Sequence, residues 1–234
     1  MLDFDRYEAV TFDCYGTLID WETGIVGAVK PVLANHGFAR NDAEVLRLYS
    51  EAEPAAQQGE YAEYREILRR VMRGIADSVG FTATETDLSR LADSLGDWPV
   101  FDDTVGALTA LKTRYKLAVV SNIDDDLFEL TAQRLGVEFD EVVTAQQARG
   151  YKPSTRNFKL LLERLGIDRS KILHVAESLY HDVVPANELG LSVVWVNRHG
   201  ESGGGATRPA DGKPDLEVSD LAALVSQMGC RDQS

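Results

Sequence analysis

The sequence predicts an α/β protein, a doubly wound parallel sheet with an all-helical segment inserted after its first strand. Three observations predict it. A β-branched and aromatic run, Tyr7 to Phe12, stops at an acid, Asp13, and the Gly16-Thr17 pair follows closely. Residues 22–97 show helical spacing and no convincing strand. From Trp98 onward, helices alternate with short apolar strands, the signature of parallel strands joined by right-handed crossovers.

The first strand matters most. A carboxylate at the end of a buried strand is costly inside a core, but in an open α/β sheet that edge is the crevice where ligands sit. Strand alternation points Asp13 and Tyr15 one way and Cys14 the other. Gly16 permits a sharp turn that brings the Thr17 hydroxyl within reach of whatever Asp13 holds. Taken alone, Asp13 also suits an ordinary solvated strand end. Cys14 reads as a packed core thiol.

Helical periodicity then covers about residues 22–36, where Pro31 should kink or break the run, and about 41–53, 60–79 and 84–95, with Pro54, Gly59 and Gly80 as breakers. Beyond Trp98, helices near 103–114, 125–136, 154–166 and 182–190 lead to strands near 117–122, 141–144, 172–176 and 193–196. The Gly- and Pro-rich stretch 200–214 reads as a mobile loop, and a last strand and helix occupy about 215–228. The expected domains are a core of residues 1–21 and 98–234 and a cap of residues 22–97, with a substrate crevice between them.

Bulk properties narrow the function. The 234 residues carry 24 Lys plus Arg against 38 Asp plus Glu, a net charge of −14, which disfavours nucleic acid and anionic membranes as partners. No apolar run approaches the ~18 residues of a membrane span. The first residues lack the pattern of a signal peptide, and two cysteines, Cys14 and Cys230, make no disulfide framework, so a cytoplasmic location is expected.

Polar groups at three further strand ends gather on the edge that holds Asp13. Ser121 and Asn122 end one strand, ahead of the acidic helix start Asp124-Asp125-Asp126; as a cap and turn they also have a purely structural reading. Lys152 sits just before a helix, where a cation opposes the helix dipole and an anionic partner explains it best. Glu177 and Asp182 follow the apolar strand that ends at Ala176.

Asp-x-Tyr-Gly-Thr, Ser-Asn, Lys-Pro and an acidic loop, in this order, resemble the haloacid dehalogenase (HAD) superfamily over nearly the whole chain, and its 2-haloacid dehalogenase group in particular. The resemblance implies a Rossmann-like, HAD-type core with a helical cap. It also implies a hydrolase that displaces a leaving group at the α-carbon of a small carboxylic acid through an aspartyl ester. Asp13 would be the nucleophile and Lys152 its counter-ion; Thr17 and Ser121 would hold carboxylate oxygens, and Asp182 would orient or activate water. Asn122 would contact substrate or leaving group, and Tyr15 would wall the pocket. No cofactor is implied. A homodimer is an analogy with cap-bearing relatives.

The chain departs from the group's pattern at three points. Phe158 stands where the group carries a tyrosine and Glu177 where it carries a serine, and the cap arginine is unassigned, with Arg47, Tyr49 and Glu53 in the right segment and Tyr49 expected to touch substrate. The runs around Trp21 and Glu177 are also similar to the azetidine-2-carboxylate hydrolase subgroup, which opens a strained cyclic amine. Trp21 with Glu177 would suit an ammonium, although Trp21 equally suits packing between cap and core. Two other readings stay open. One is a phosphatase holding Mg²⁺ on Asp13, Glu177 and Asp182, against which Tyr15 stands where phosphatases carry a second aspartate. The other is a scaffold that keeps the fold without activity.

Overall fold

The computed structural model describes residues 2–200 and 210–230. Most of the 200–214 stretch read as a mobile loop therefore lies outside the described residues.

Strands β1 (Ala9–Phe12), β2 (Lys116–Ser121), β3 (Glu141–Thr144), β4 (Ile172–Ala176), β5 (Ser192–Val196) and β6 (Leu216–Val218) form one sheet in the order β3-β2-β1-β4-β5-β6. Every pairing is parallel. All four residues of β1 are buried, as expected for a central strand covered on both faces. Phe12 is in register with Val119 of β2 and Val175 of β4, so Asp13 is the first residue past the register at the sheet's C-terminal edge. The chain runs from β1 out to β3 and then crosses back to β4, making the β1–β4 boundary the switch point where such sheets open a crevice.

Four helices follow β1: α1 (Trp21–Asn35), α2 (Asp42–Ala56), α3 (Tyr64–Val79) and α4 (Glu85–Ser94). Six more accompany the other strands: α5 (Thr104–Lys112), α6 (Asp125–Leu135), α7 (Ala145–Ala148), α8 (Arg156–Leu165), α9 (Val184–Glu188) and α10 (Leu221–Gln227). Pro31 lies inside α1 and does not end it. Pro31 and Gly27, four residues back, are both on the exposed face, so the carbonyl left without a partner meets water. The buried stripe Ile25, Ala28, Val29, Val32 and Leu33 holds the other face in place. Pro54 likewise lies within α2, in its last turn. Gly80 does end α3, at φ 98°.

One apolar cluster runs from the sheet into these helices, with Phe12, Leu18, Trp98, Tyr49, Leu68 and Met72 among its buried members. A second cluster, including Val120, Phe158 and Val193, covers the opposite sheet face. Polar contacts also join the helical segment to the sheet edge. Asp124, read from the sequence as part of an acidic start to α6, makes no side-chain cap there. Its carboxylate instead accepts from the backbone N–H groups of Tyr64 (2.7 Å) and Arg65 (2.8 Å), capping α3 from across the crevice. The Tyr151 hydroxyl donates to the Ala62 carbonyl at 2.8 Å. No helix among the described residues is long and apolar enough to cross a membrane.

Candidate active site

The site is built at the ends of adjacent strands. The Asp13 N–H still bonds to the Val175 carbonyl (3.1 Å), fixing its backbone to β4. The chain then turns through Gly16 at φ 99°, where only glycine is unstrained. That turn returns Thr17 to Asp13. Thr17 Oγ1 accepts the Glu177 N–H (2.9 Å) and donates to Asp13 Oδ2 (3.0 Å), so the backbone donor orients the hydroxyl proton toward the carboxylate. Arg198 holds the same turn from outside, donating through Nε (3.1 Å) and Nη2 (2.6 Å) to the Thr17 carbonyl while its guanidinium lies 3.8 Å over the Phe101 ring.

Lys152 is buried and its three donors are all used, on Asp13 Oδ1 (2.7 Å), Asp182 Oδ1 (2.7 Å) and the Val120 carbonyl (3.0 Å). Its backbone is clasped by Asn122, whose Oδ1 accepts the Lys152 N–H (2.7 Å) and whose Nδ2 donates to the Lys152 carbonyl (3.1 Å). Asn122 was expected to meet substrate or leaving group; it borders the cleft, but both ends of its amide are spent on positioning Lys152.

Asp182 enters from a π-helical turn, Leu179–Val183, directly after β4, a widened turn of the kind often found at functional sites. Its Oδ1 also accepts from His174 Nε2 (3.1 Å), and His174 Nδ1 pairs with Thr11 Oγ1 (2.9 Å). Phe158 packs edge-on against the His174 ring at 5.0 Å. Asp182 Oδ2 and Ser121 Oγ are buried without a protein partner among the described residues.

The two acids on Lys152 differ. The Asp13 side chain is 9% exposed and that of Asp182 1%, so Asp13 is the one presented to the cleft. Burial pushes Asp13 above the ordinary carboxylate range; Lys152 pulls it down, and the neighbouring Asp182 charge adds to the rise. Burial acts on Asp182 in the same sense, but Lys152 and His174 outweigh it and hold that carboxyl below its usual range. Desolvation opposes the Lys152 charge, yet the two carboxylates keep its pKa raised. Asp13 is therefore the more basic oxygen donor and the one with access.

Above this floor lies a cleft of about 590 Å³, walled by Tyr15, Trp21, Glu177, Ser178, Tyr180 and His181 on one side and by Ser50, Glu53, Gln57 and Tyr64 of the helical segment on the other. The Tyr15 hydroxyl bonds to Thr131 Oγ1 (2.7 Å), so only its ring faces the cleft. Trp21 Nε1 and Glu177 Oε2 both crowd Gly16, within 3.2 and 3.3 Å of where a Cβ would stand. Tyr49, expected to touch substrate, is not on the wall; it is fully buried behind Trp21, ring centroids 5.7 Å apart. Arg47 is exposed and paired with Glu51 on its own helix (2.7 Å). Among the described residues the cleft wall carries no arginine. Cys14 is fully buried, and burial with the Asp13 charge pushes its thiol well up, which suits packing and not attack.

Sequence reasoning passed over His174, Arg198 and Tyr64, and left Glu53 unassigned. A histidine in the middle of an apolar strand and an arginine just after β5 were the available signals.

Lys152 Nζ stands between Asp13 and Asp182, the Tyr15 hydroxyl is occupied, and no group of three or more His, Cys, Asp or Glu converges among the described residues.

A family model of haloacid dehalogenase-like hydrolases matches residues 7–190. A haloacetate dehalogenase (H-2) of Moraxella sp. (strain B) is 30% identical over 226 residues, covering 94% of this chain and 97% of that protein. An (S)-2-haloacid dehalogenase of Pseudomonas sp. (strain YL) is 28% identical over 234 residues, 94% of each. The solved structure of an L-2-haloacid dehalogenase from Xanthobacter autotrophicus with chloropropionic acid covalently bound shares the fold, with a TM-score of 0.78 at 22% identity over 94% of this chain and 98% of that one. With the family match spanning most of its length, the chain belongs to the haloacid dehalogenase-like hydrolases.

Proposed function

We propose that the protein is a 2-haloacid dehalogenase-like hydrolase in which Asp13 displaces the leaving group from the α-carbon of a small carboxylic acid. The observation that carries this reading is Asp13 itself, the basic and accessible member of a carboxylate pair neutralised by one buried lysine. An oxygen of Asp13 attacks the α-carbon, a C–O bond forms, and the carbon–halogen bond breaks with its electron pair leaving as halide. Water then attacks the side-chain carbonyl carbon of the ester. Lys152 and the Thr17 hydroxyl stabilise the oxyanion, and collapse returns the Asp13 carboxylate, the 2-hydroxy acid and one proton. Asp182 Oδ2, buried and unpartnered among the described residues, is the acceptor we assign to the attacking water. The covalent chloropropionate in the Xanthobacter enzyme supports the ester step.

The test is halide release from (S)-2-chloropropionate and haloacetate, with single turnover in ¹⁸O water. Label is expected in the Asp13 carboxylate, and Asp13→Asn should lower turnover by about four orders of magnitude or more. Unlabelled Asp13, or an Asp13→Asn protein with normal turnover, would refute the ester. A strained cyclic amino acid belongs in the same panel. Amine release without halide release from any haloacid would replace the leaving group and leave the Asp13 chemistry intact.

A further inference from the structure

Asp182 keeps one oxygen on two donors that arrive from different elements. Lys152 Nζ comes from the loop before α8 (2.7 Å) and His174 Nε2 from the middle of β4 (3.1 Å), and both end on Oδ1. All three side chains are buried, and His174 is not on the cleft wall. Asp182 Oδ2, by contrast, has no partner among the described residues. Neighbours fix the proton count at the imidazole. An ionised carboxylate only accepts, so Nε2 carries a proton. Thr11 Oγ1, 2.9 Å from Nδ1, makes no other hydrogen bond among the described residues, so its own proton is satisfied by donating to that nitrogen. A hydroxyl on β1 thus sets the tautomer of a histidine on β4.

The two donors differ in what else they hold. Lys152 is shared with Asp13 Oδ1 and the Val120 carbonyl, so its hold on Asp182 shifts when Asp13 loses its charge on becoming an ester. His174 serves no second acid, because its other nitrogen is on Thr11. A carboxylate on a single donor turns easily about its last torsion. A second donor on the same oxygen, from another strand, stops that turn and leaves Oδ2 as the open acceptor whatever the charge on Asp13.

We infer that His174 is a positioning residue for ester hydrolysis, holding Asp182 Oδ1 so that Oδ2 stays aimed at the attacking water. In that step the water oxygen bonds to the ester carbonyl carbon and one water proton passes to Asp182 Oδ2. The bond from that carbon to the substrate oxygen then breaks, the second water proton goes to the leaving alkoxide, and Asp182 gives its proton up to solvent. Attack by Asp13 and loss of halide make no use of Oδ2, so His174 acts on the second step and not the first. The inference rests on the two-step reading proposed above.

Rapid-quench halide release from (S)-2-chloropropionate separates the steps, since the first turnover reports ester formation and the later linear phase reports hydrolysis. His174→Phe should form the ester at nearly the wild-type rate but slow its hydrolysis by about a hundredfold. It should therefore show a halide burst matching the enzyme present, and a covalent adduct on the Asp13 peptide by mass spectrometry. His174→Gln returns an N–H donor near Nε2 and should recover most of the hydrolysis rate. Thr11→Val removes the hydroxyl on Nδ1 at a strand position and should slow the same step by less. It also decides the matter where His174→Phe does not fold, because normal hydrolysis in Thr11→Val would then overturn the inference. Equal slowing of both steps, or turnover without adduct in His174→Phe, would overturn it too, and would leave the ester chemistry of the wild type standing. A wild type that releases no halide would refute that chemistry and the role of His174 with it.

Discussion

The floor and the helical wall of the cleft solve opposite problems. On the floor, two carboxylates share a lysine whose every donor is used, and Thr17, His174 and Asn122 fix the remaining orientations. On the wall, Glu53 accepts from the neutral Gln57 amide, with no ion pair among the described residues. A compensated cluster keeps charge ready in a dry place, at the cost of depending on every member. An acid buried without a cation has its pKa pushed up instead, as burial does to Glu53.

The comparison breaks most decisively at Lys152. Lys152→Met leaves two buried carboxylates facing each other without a cation, and should cost about 3–5 kcal/mol in a urea titration at pH 7 as well as turnover. A stable Lys152→Met protein would mean that the floor is not an ion cluster.

Seating of the wall on the core is the next test. Gly24 of α1 lies so close to Trp98 that a Cβ would stand 2.3 Å from the indole, and Trp98 is pinned by its Nε1 bond to Ser94 (2.9 Å). Gly24→Ala should therefore cost about 1–3 kcal/mol through overpacking, read as a lower thermal midpoint. An unchanged midpoint would show that the helical segment rides more loosely than the contact implies.

The smallest effect sharpens the contrast itself. Glu53 is raised from 4.5 to about 7, so the folded state binds its proton more tightly than the unfolded chain does. Folding stability from this group is complete below about pH 4.5 and is lost as pH rises through about 7. Glu53→Gln should match the wild type near pH 4.5 and exceed it by about 1 kcal/mol at pH 8.5, a figure discounted for the group's contact with water. Equal stabilities at both pH values would show that the wall does not hold a displaced proton.

Much of this was legible in the chain. Asp13, Thr17, Ser121, Lys152 and Asp182 lie at or beyond strand ends, and a parallel sheet brings strand ends to one edge, so short continuous apolar runs were enough to bring them together. Asn122 and Tyr49 have their polar groups engaged within the protein for a common reason. Residue type announces hydrogen-bonding capacity, but which neighbour consumes it is decided by groups farther along the chain: Asn122 by the backbone of Lys152, Tyr49 by Tyr64. Asp124 is a third case, a helix-start acid in the sequence that caps a different helix in space. The prolines misled because a break requires the freed carbonyl to lack a partner, and an exposed face supplies water.

What the sequence alone determined, then, is the order of strands and helices and the acids and lysine that mark the catalytic edge, because hydrophobic periodicity and turn residues act over a few positions. Tertiary structure decided which carboxylate is exposed, which amide is already occupied and which acid burial pushes up. Those outcomes depend on burial and on distant partners, such as Asp13 and Lys152, 139 residues apart, and no local pattern encodes them.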